Sequence, residues 1–241
     1  MICLLNLSRY ANNYYKHPNI SNIITQNTYN PDELKKYGKL IITCNIQDNH
    51  DLLNLLDMNQ IIKDNTKIKR ELYIPYIYHY NKNYNLTREL LNIQDYHKIY
   101  TLNNNDYNHD YNHDINNLHI LSPVYFYRWS INNIKCHDKI DMIIYPEKYD
   151  HEEIDSVFDK NIVLVCSKIN TGIKLNKLCK RLRSYGSKNI YIIATHGIFN
   201  NYYIFDDLKQ YVNNIYITDS YYHNYDKNFI KIYRNNFSLI L

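Results

Sequence analysis

Short apolar runs, unbroken in the clearest case at residues 162–166, alternate along the chain with stretches whose apolar residues recur three and four positions apart. The runs, rich in Ile, Val, Leu and Tyr, fall at residues 39–46, 70–74, 97–102, 140–145, 161–166, 189–195 and 215–218. An unbroken run, as opposed to polar–apolar alternation, marks a strand covered on both faces. Residues 1–9 read as one more buried strand: without a basic start or a small-residue cleavage site, they do not read as a signal peptide. Helical patterns lie between the runs. Residues 48–63 bring Leu52, Leu55, Leu56 and Ile62 to helical spacing behind an acidic first turn. Shorter helices are predicted at 87–93, at 205–211, and after Pro123 with Tyr125, Phe126 and Trp129.

The second half is the most legible. After strand 161–166, the turn Asn170-Thr171-Gly172 opens a helix with Leu175, Leu178, Cys179 and Leu182 on one face. Lys180, Arg181 and Arg183 lie near its C-terminus, where cations suit the helix dipole, and Gly186 is placed to end it. Right-handed crossovers make strands 161–166, 189–195 and 215–218 parallel. The loops after their C-terminal ends then share one rim, where open α/β sheets hold ligands. The alternation as a whole predicts an α/β protein of two tandem doubly wound parallel-sheet domains, at residues 1–125 and 126–241. The polar stretch 103–117 interrupts the first and contains a tandem repeat, Tyr107-Asn108-His109-Asp110 followed by Tyr111-Asn112-His113-Asp114.

Composition narrows the class. With 241 residues, 45% of them hydrophobic, the chain is long and apolar enough to bury a core. No stretch approaches the roughly 18 apolar residues of a membrane span, so no membrane partner is expected. Five scattered cysteines, an odd number without regular spacing, fit a reducing compartment, and a cytoplasmic location is expected. There are 28 Tyr against 6 Phe, with only 4 Gly and 5 Pro. Asn, Ile, Lys and Tyr share AT-rich codons, so mutational pressure in an AT-rich genome, such as that of a large DNA virus or a parasite, accounts for the bias. Selection of Tyr and Asn for base stacking and hydrogen bonding is the alternative. A net charge of +4 spread along the chain is weak support for a nucleic-acid partner, which calls for a concentrated basic face, and none is expected.

The rim carries recognisable residues. Lys188-Asn189-Ile190-Tyr191-Ile192-Ile193-Ala194-Thr195-His196-Gly197 resembles the strand and Ala-Thr-His-Gly turn of the phosphoribosyl pyrophosphate synthetase (ribose-phosphate pyrophosphokinase) family. Tyr216-Ile217-Thr218-Asp219-Ser220 is similar to the Val-Thr-Asp-Ser strand end that follows it there. Residues 161–172 sit where that family has its ribose-phosphate loop, Asp-Asp-x-x-Asp-Thr-Gly. In the first half, Asp48-Asn49-His50-Asp51-Leu52-Leu53-Asn54-Leu55-Leu56 is similar to the family's Asn-Asp-Asn-Leu-Met-Glu-Leu-Leu helix start. Tyr73-Ile74-Pro75-Tyr76, Lys98-Ile99-Tyr100-Thr101-Leu102 and Ser122-Pro123 match further family segments. The pieces run collinearly from about residue 39 to 223. The resemblance implies two phosphoribosyltransferase-like domains and a nucleotide-biosynthetic reaction in which ATP gives its pyrophosphoryl group to ribose 5-phosphate with Mg²⁺. It also implies a homo-oligomer, or a hetero-oligomer with an active homologue.

Most of that chemistry is missing. Pyrophosphoryl transfer needs metal ions and basic groups at defined places. Where the family's paired aspartates hold the ribose hydroxyls, this chain has Cys166 and Ser167, and the next acidic position is Asn170. The ATP-contacting Arg-Gln-Asp-Arg-Lys run becomes Asn81-Lys82-Asn83-Tyr84-Asn85, and the metal-binding Asp-Leu-His becomes Asn103-Asn104-Asn105. The Pro-Asp-x-Gly-Gly segment is reduced to Pro146-Glu147-Lys148-Tyr149, and the flexible basic loop after it is deleted. Asn170, Thr171 and Gly172, with Lys174 replacing the family's threonine and Ile173 its second glycine, remain as a phosphate-binding turn at a helix start. Thr195, His196 and Gly197 are expected at the site rim.

The expectation is therefore a catalytically impaired homologue that binds a sugar phosphate weakly. Mg²⁺ and ATP would be cofactors only if the family activity persists. An active synthetase rebuilt around Lys174, Glu147 and the His-Asp repeat is one alternative, and a nucleic-acid-binding protein is another. His109 and His113 have the spacing of two metal ligands on a helix, but a repeat in Asn-rich sequence is more simply replication slippage, and no metal site is assigned. Cys136-His137 reads as structural. Cys166 near His196 raises a Cys–His nucleophile, for which no third member is identified.

Overall fold

The structure is a computed structural model describing residues 2–7, 20–25, 28–46, 48–75, 84–102, 115–146, 156–200, 203–220, 226 and 228–233. The chain divides into two compact units, with the change-over between Ser122 and Pro123.

The first unit contains β1 (Ile2–Asn6), β2 (Ile20–Thr25), α1 (Pro31–Leu34), β3 (Lys39–Thr43), α2 (Asn49–Asn65), β4 (Lys69–Tyr73), α3 (Tyr84–Ile93), β5 (Lys98–Leu102) and β6 (Leu118–Leu121). Its sheet has the order β2-β1-β3-β4-β5-β6, with every pair parallel. The reversal between β1 and β3 is the switch point of a doubly wound sheet. Leu40, Ile41 and Ile42 show why the aliphatic runs are unbroken. Leu40 and Ile42 pack with Leu55 and Ile62 of α2, while Ile41 packs on the other side with Leu4, Tyr73 and Tyr100. Within this sheet Glu71 of β4 is buried, and Lys39 Nζ meets its carboxylate at 3.0 Å. Asp48 caps α2 by accepting the backbone N–H of Asp51 at 3.0 Å.

The second unit contains α4 (Val124–Lys135), β7 (Met142–Ile144), β8 (Asn161–Ile169), α5 (Ile173–Ser184), β9 (Asn189–Gly197), α6 (Tyr203–Tyr211), β10 (Asn214–Thr218) and β11 (Ile230–Tyr233). Its parallel sheet runs β11-β10-β9-β8-β7, so the three strands expected to be neighbours are neighbours. Alternate residues face opposite helical layers. Ile162, Leu164, Ile190, Ile192 and Ile217 pack with Leu175, Cys179 and Leu182 of α5 and Leu208 of α6. Val163, Tyr191, Ile193 and Tyr216 pack with Phe126 and Ile134 of α4. Trp129 of α4 lies edge-on to Tyr216 at 5.9 Å and 5.4 Å from the Tyr233 ring.

An asparagine ladder ties the strands together at their N-terminal ends. Asn189 Nδ2 donates to Asn161 Oδ1 at 3.0 Å, and Asn213 Nδ2 donates to Asn189 Oδ1 at 2.9 Å. Asn213 Oδ1 also accepts the backbone N–H of Ile190 at 3.0 Å and Arg183 Nη2 at 2.9 Å. Part of the asparagine excess is thus built into the fold.

The structure differs from the sequence reading in four added elements, β2, α1, β6 and β11. It also differs in the length of β8 and β9, each of which runs past the aliphatic residues into Ser167-Lys168-Ile169 and His196-Gly197.

Candidate functional site

At the C-terminal end of the second sheet, β8 gives way to the turn Asn170-Thr171-Gly172, and α5 begins at Ile173. Gly172 is the N-cap residue, with φ 71° and ψ −3°, a left-handed conformation that costs other residues energy. It also lies close to α6: a Cβ there would stand 2.9 Å from Ile204 Cγ2. Asn170 anchors the turn from the other side. Its carbonyl accepts the backbone N–H of Asn200 at 3.0 Å, and its Oδ1 accepts Asn200 Nδ2 at 2.6 Å.

No side chain caps α5. Its first intrahelical bond is Asn176 N to Gly172 O at 2.8 Å, so the N–H groups of Ile173, Lys174 and Leu175 precede the hydrogen-bonded ladder. The first turn carries no carboxylate, Thr171 and Lys174 are exposed beside it, and the helix dipole places positive potential at this end. A dianion suits that arrangement better than any other common ligand.

The two residues that the resemblance sets against the family's aspartates do not lie on a loop. Cys166 and Ser167 lie within β8 and are buried, Cys166 opposite Ala194 of β9. As consecutive strand residues they point to opposite faces, Cys166 into the core shared with α5 and α6. They do not form a side-by-side polar clamp. Burial in an apolar cluster also removes Cys166 from the setting of a reactive thiolate, which needs electropositive and accessible surroundings.

Thr195, His196 and Gly197 are the last residues of β9, buried and part of a hydrogen-bonded frame. The Thr195 hydroxyl and the Tyr127 hydroxyl of α4 lie 2.9 Å apart. The Thr195 carbonyl accepts the Thr218 hydroxyl at 2.6 Å and the Ser220 hydroxyl at 3.4 Å. His196 Nδ1 meets Ser220 Oγ at 2.8 Å. A Cβ at Gly197 would collide with the Phe199 ring and stand 2.9 Å from Ile217 Cδ1. The Ala-Thr-His-Gly and Thr-Asp-Ser segments therefore lock β9 to β10 and α4, and Tyr127 is the member of this frame that sequence spacing did not single out.

Asn105, Glu147, Lys82 and the His109–His113 repeat lie outside the described residues. Among the described residues, Asp48, His50 and Asp51 of the first unit bring one possible metal-ligand atom each within 4.8 Å of one another. Asp48 already caps α2, His50 Nδ1 faces Asn54 Nδ2 at 3.0 Å, and the positive end of the helix dipole disfavours a cation. Among the described residues, no helix is long and apolar enough to cross a membrane.

The chain is similar in fold to a solved structure. The crystal structure of phosphoribosylpyrophosphate synthetase from Mycobacterium smegmatis superposes with a TM-score of 0.63. The fold is synthetase-like. The match covers 80% of this chain and 76% of that one, at 14% sequence identity. No family model and no curated protein sequence matches. The likeness thus lies in architecture: two all-parallel α/β units in tandem, as the synthetase-like fold requires.

Proposed function

We propose that the protein is a sugar-phosphate-binding homologue of the phosphoribosylpyrophosphate synthetases that no longer transfers pyrophosphate. It serves nucleotide metabolism in the cytoplasm as a homo-oligomer or beside an active homologue. The observation that carries the reading is the uncapped α5 N-terminus behind left-handed Gly172, on the rim of a synthetase-like sheet. The neutral, buried Cys166 and Ser167, where the resembling family has aspartates, support the loss of transfer chemistry.

The magnitudes favour weak binding. Hydrogen bonds from neutral donors to a charged phosphate are worth about 1.5–3 kcal/mol each, so three of them supply about 5–9 kcal/mol. Lost translational and rotational freedom takes ~4 kcal/mol or more, which leaves a Kd around the millimolar range. Incubation of the purified protein with ATP, Mg²⁺ and ribose 5-phosphate, read by ³¹P NMR, is expected to give no phosphoribosyl pyrophosphate above a Gly172→Trp control. Turnover above that control would establish a rebuilt synthetase and redirect attention to Lys174 and Glu147.

A further inference from the structure

The positive charge is not spread evenly along the chain, as its small total suggests, but concentrated in one segment, which changes the expectation for a nucleic-acid partner. Residues 160–205 contain eight Lys and Arg and not one Asp or Glu, so the rest of the chain, within a total of +4, carries a net −4. The fold gathers half of those cations on one surface. Leu175, Cys179 and Leu182 turn the inner face of α5 into the core. Lys174, Lys177, Lys180 and Arg181, at spacings of three, four and seven, therefore fall together on the outer face.

Helix stability does not explain this stripe. Lys174 and Lys177 lie in the N-terminal half, where the dipole disfavours cations, and the stripe sets like charges three and four residues apart. Among the described residues Lys174, Lys177 and Lys180 make no ion pair. Asp207 of α6, a carboxylate that reaches α5, meets Asn176 at 3.4 Å. A surface that repels itself is complementary to a polyanion.

Exposed rings bracket the stripe. At its start Tyr203, 87% exposed, precedes Ile204, the residue that packs on Gly172. At its end Phe158, 76% exposed, lies against Gly186, and Arg181 sits 5.9 Å from the ring of Tyr185, itself 42% exposed. The two groups are separated by the length of α5, about 20 Å. Cations that track a backbone, flanked by exposed aromatic rings, suit a single strand, because every base has a face to stack.

We propose that the outer face of α5 docks single-stranded nucleic acid, with phosphates along Lys174, Lys177, Lys180 and Arg181 and bases against Tyr203, Tyr185 and Phe158. The rings argue for this over an anionic membrane or an acidic protein.

The test is fluorescence anisotropy with labelled oligo(U) and oligo(dT) of about 20 nucleotides, titrated across about 50 to 200 mM salt. Four phosphate contacts predict a slope of log affinity against log salt of about −3 for a single strand. Replacing Lys177, Lys180 and Arg181 together by Gln should make that slope about 2 shallower, with Trp129 fluorescence unchanged as the check on folding. Tyr203→Ala and Phe158→Ala should each weaken binding at least about fivefold and leave the slope alone. Absence of oligonucleotide binding at the lowest salt would overturn the proposal, as would an unchanged slope in the triple variant. Binding to phosphatidylserine-doped vesicles without binding to either oligonucleotide would overturn it in favour of a membrane surface.

Discussion

Replacing Gly172 by Ala tests the geometry on which the phosphate site rests. At φ 71° the left-handed backbone costs an Ala about 1–2 kcal/mol. The new Cβ would stand 2.9 Å from Ile204 Cγ2, and relieving that contact adds ~1 kcal/mol, the low end for overpacking because Ile204 is only half-buried. The total of about 2–3 kcal/mol corresponds to a Tm lower by ~10 °C for a unit of this size. Trp129 is the single tryptophan and packs among Phe126, Tyr216 and Tyr233, so urea denaturation followed by its fluorescence reads this unit directly. Ile204→Ala removes the clashing methyl. In that background Gly172→Ala should cost only the backbone part, giving a coupling of about 1 kcal/mol between the two positions. A cost below ~0.5 kcal/mol in both backgrounds would refute the left-handed cap. An unchanged cost in the Ile204→Ala background would refute the close approach of α6.

Other outcomes follow from the same contacts. Asn189→Ala removes the centre of the asparagine ladder, with its bonds to Asn161 at 3.0 Å, Asn213 at 2.9 Å and Asp138 at 3.2 Å. At ~1 kcal/mol per bond, discounted for partial exposure, it should destabilise the second unit by about 1.5–3 kcal/mol in the same urea assay. A neutral substitution would mean that water replaces the ladder. Thiol titration with Ellman's reagent should give one fast group, the exposed Cys136. Burial pushes the Cys3 and Cys179 thiols up to about 12, and Cys44 and Cys166 are enclosed, so these four should react only on unfolding. A fast second thiol lost in Cys166→Ser would reopen the Cys–His nucleophile.

Central strands are legible in the sequence because a strand covered on both faces carries consecutive aliphatic residues, as in Leu40-Ile41-Ile42 and Ile162-Val163-Leu164. The strands that escaped notice, β2, β6 and β11, are all edge strands, short and mixed in polarity, as in Ile20–Thr25 with Ser21 and Asn22. Polar residues misled at the rim. Ser167 and His196 read as loop residues beyond the strand ends, yet they are buried, as is Thr195 at the end of the expected strand, with Thr195 and His196 tied to Tyr127, Thr218 and Ser220. Those partners lie 23 or more residues away in sequence, so spacing alone does not reveal them. The Asn170-Thr171-Gly172 turn was legible because Gly before a helix is a local signal. The contact of Gly172 with Ile204, brought by α6 from beyond β9, was not.

Calorimetry with ribose 5-phosphate, its 2-deoxy analogue and free ribose tests the central claim most directly. The phosphate at the α5 N-terminus should provide the affinity, and Cys166 and Ser167 offer no carboxylate to the sugar hydroxyls. Both phosphates should therefore bind at around the millimolar level, within about threefold of each other, and free ribose should give no heat. More than about tenfold preference for ribose 5-phosphate over the deoxy sugar, or no heat with either phosphate, would contradict the account.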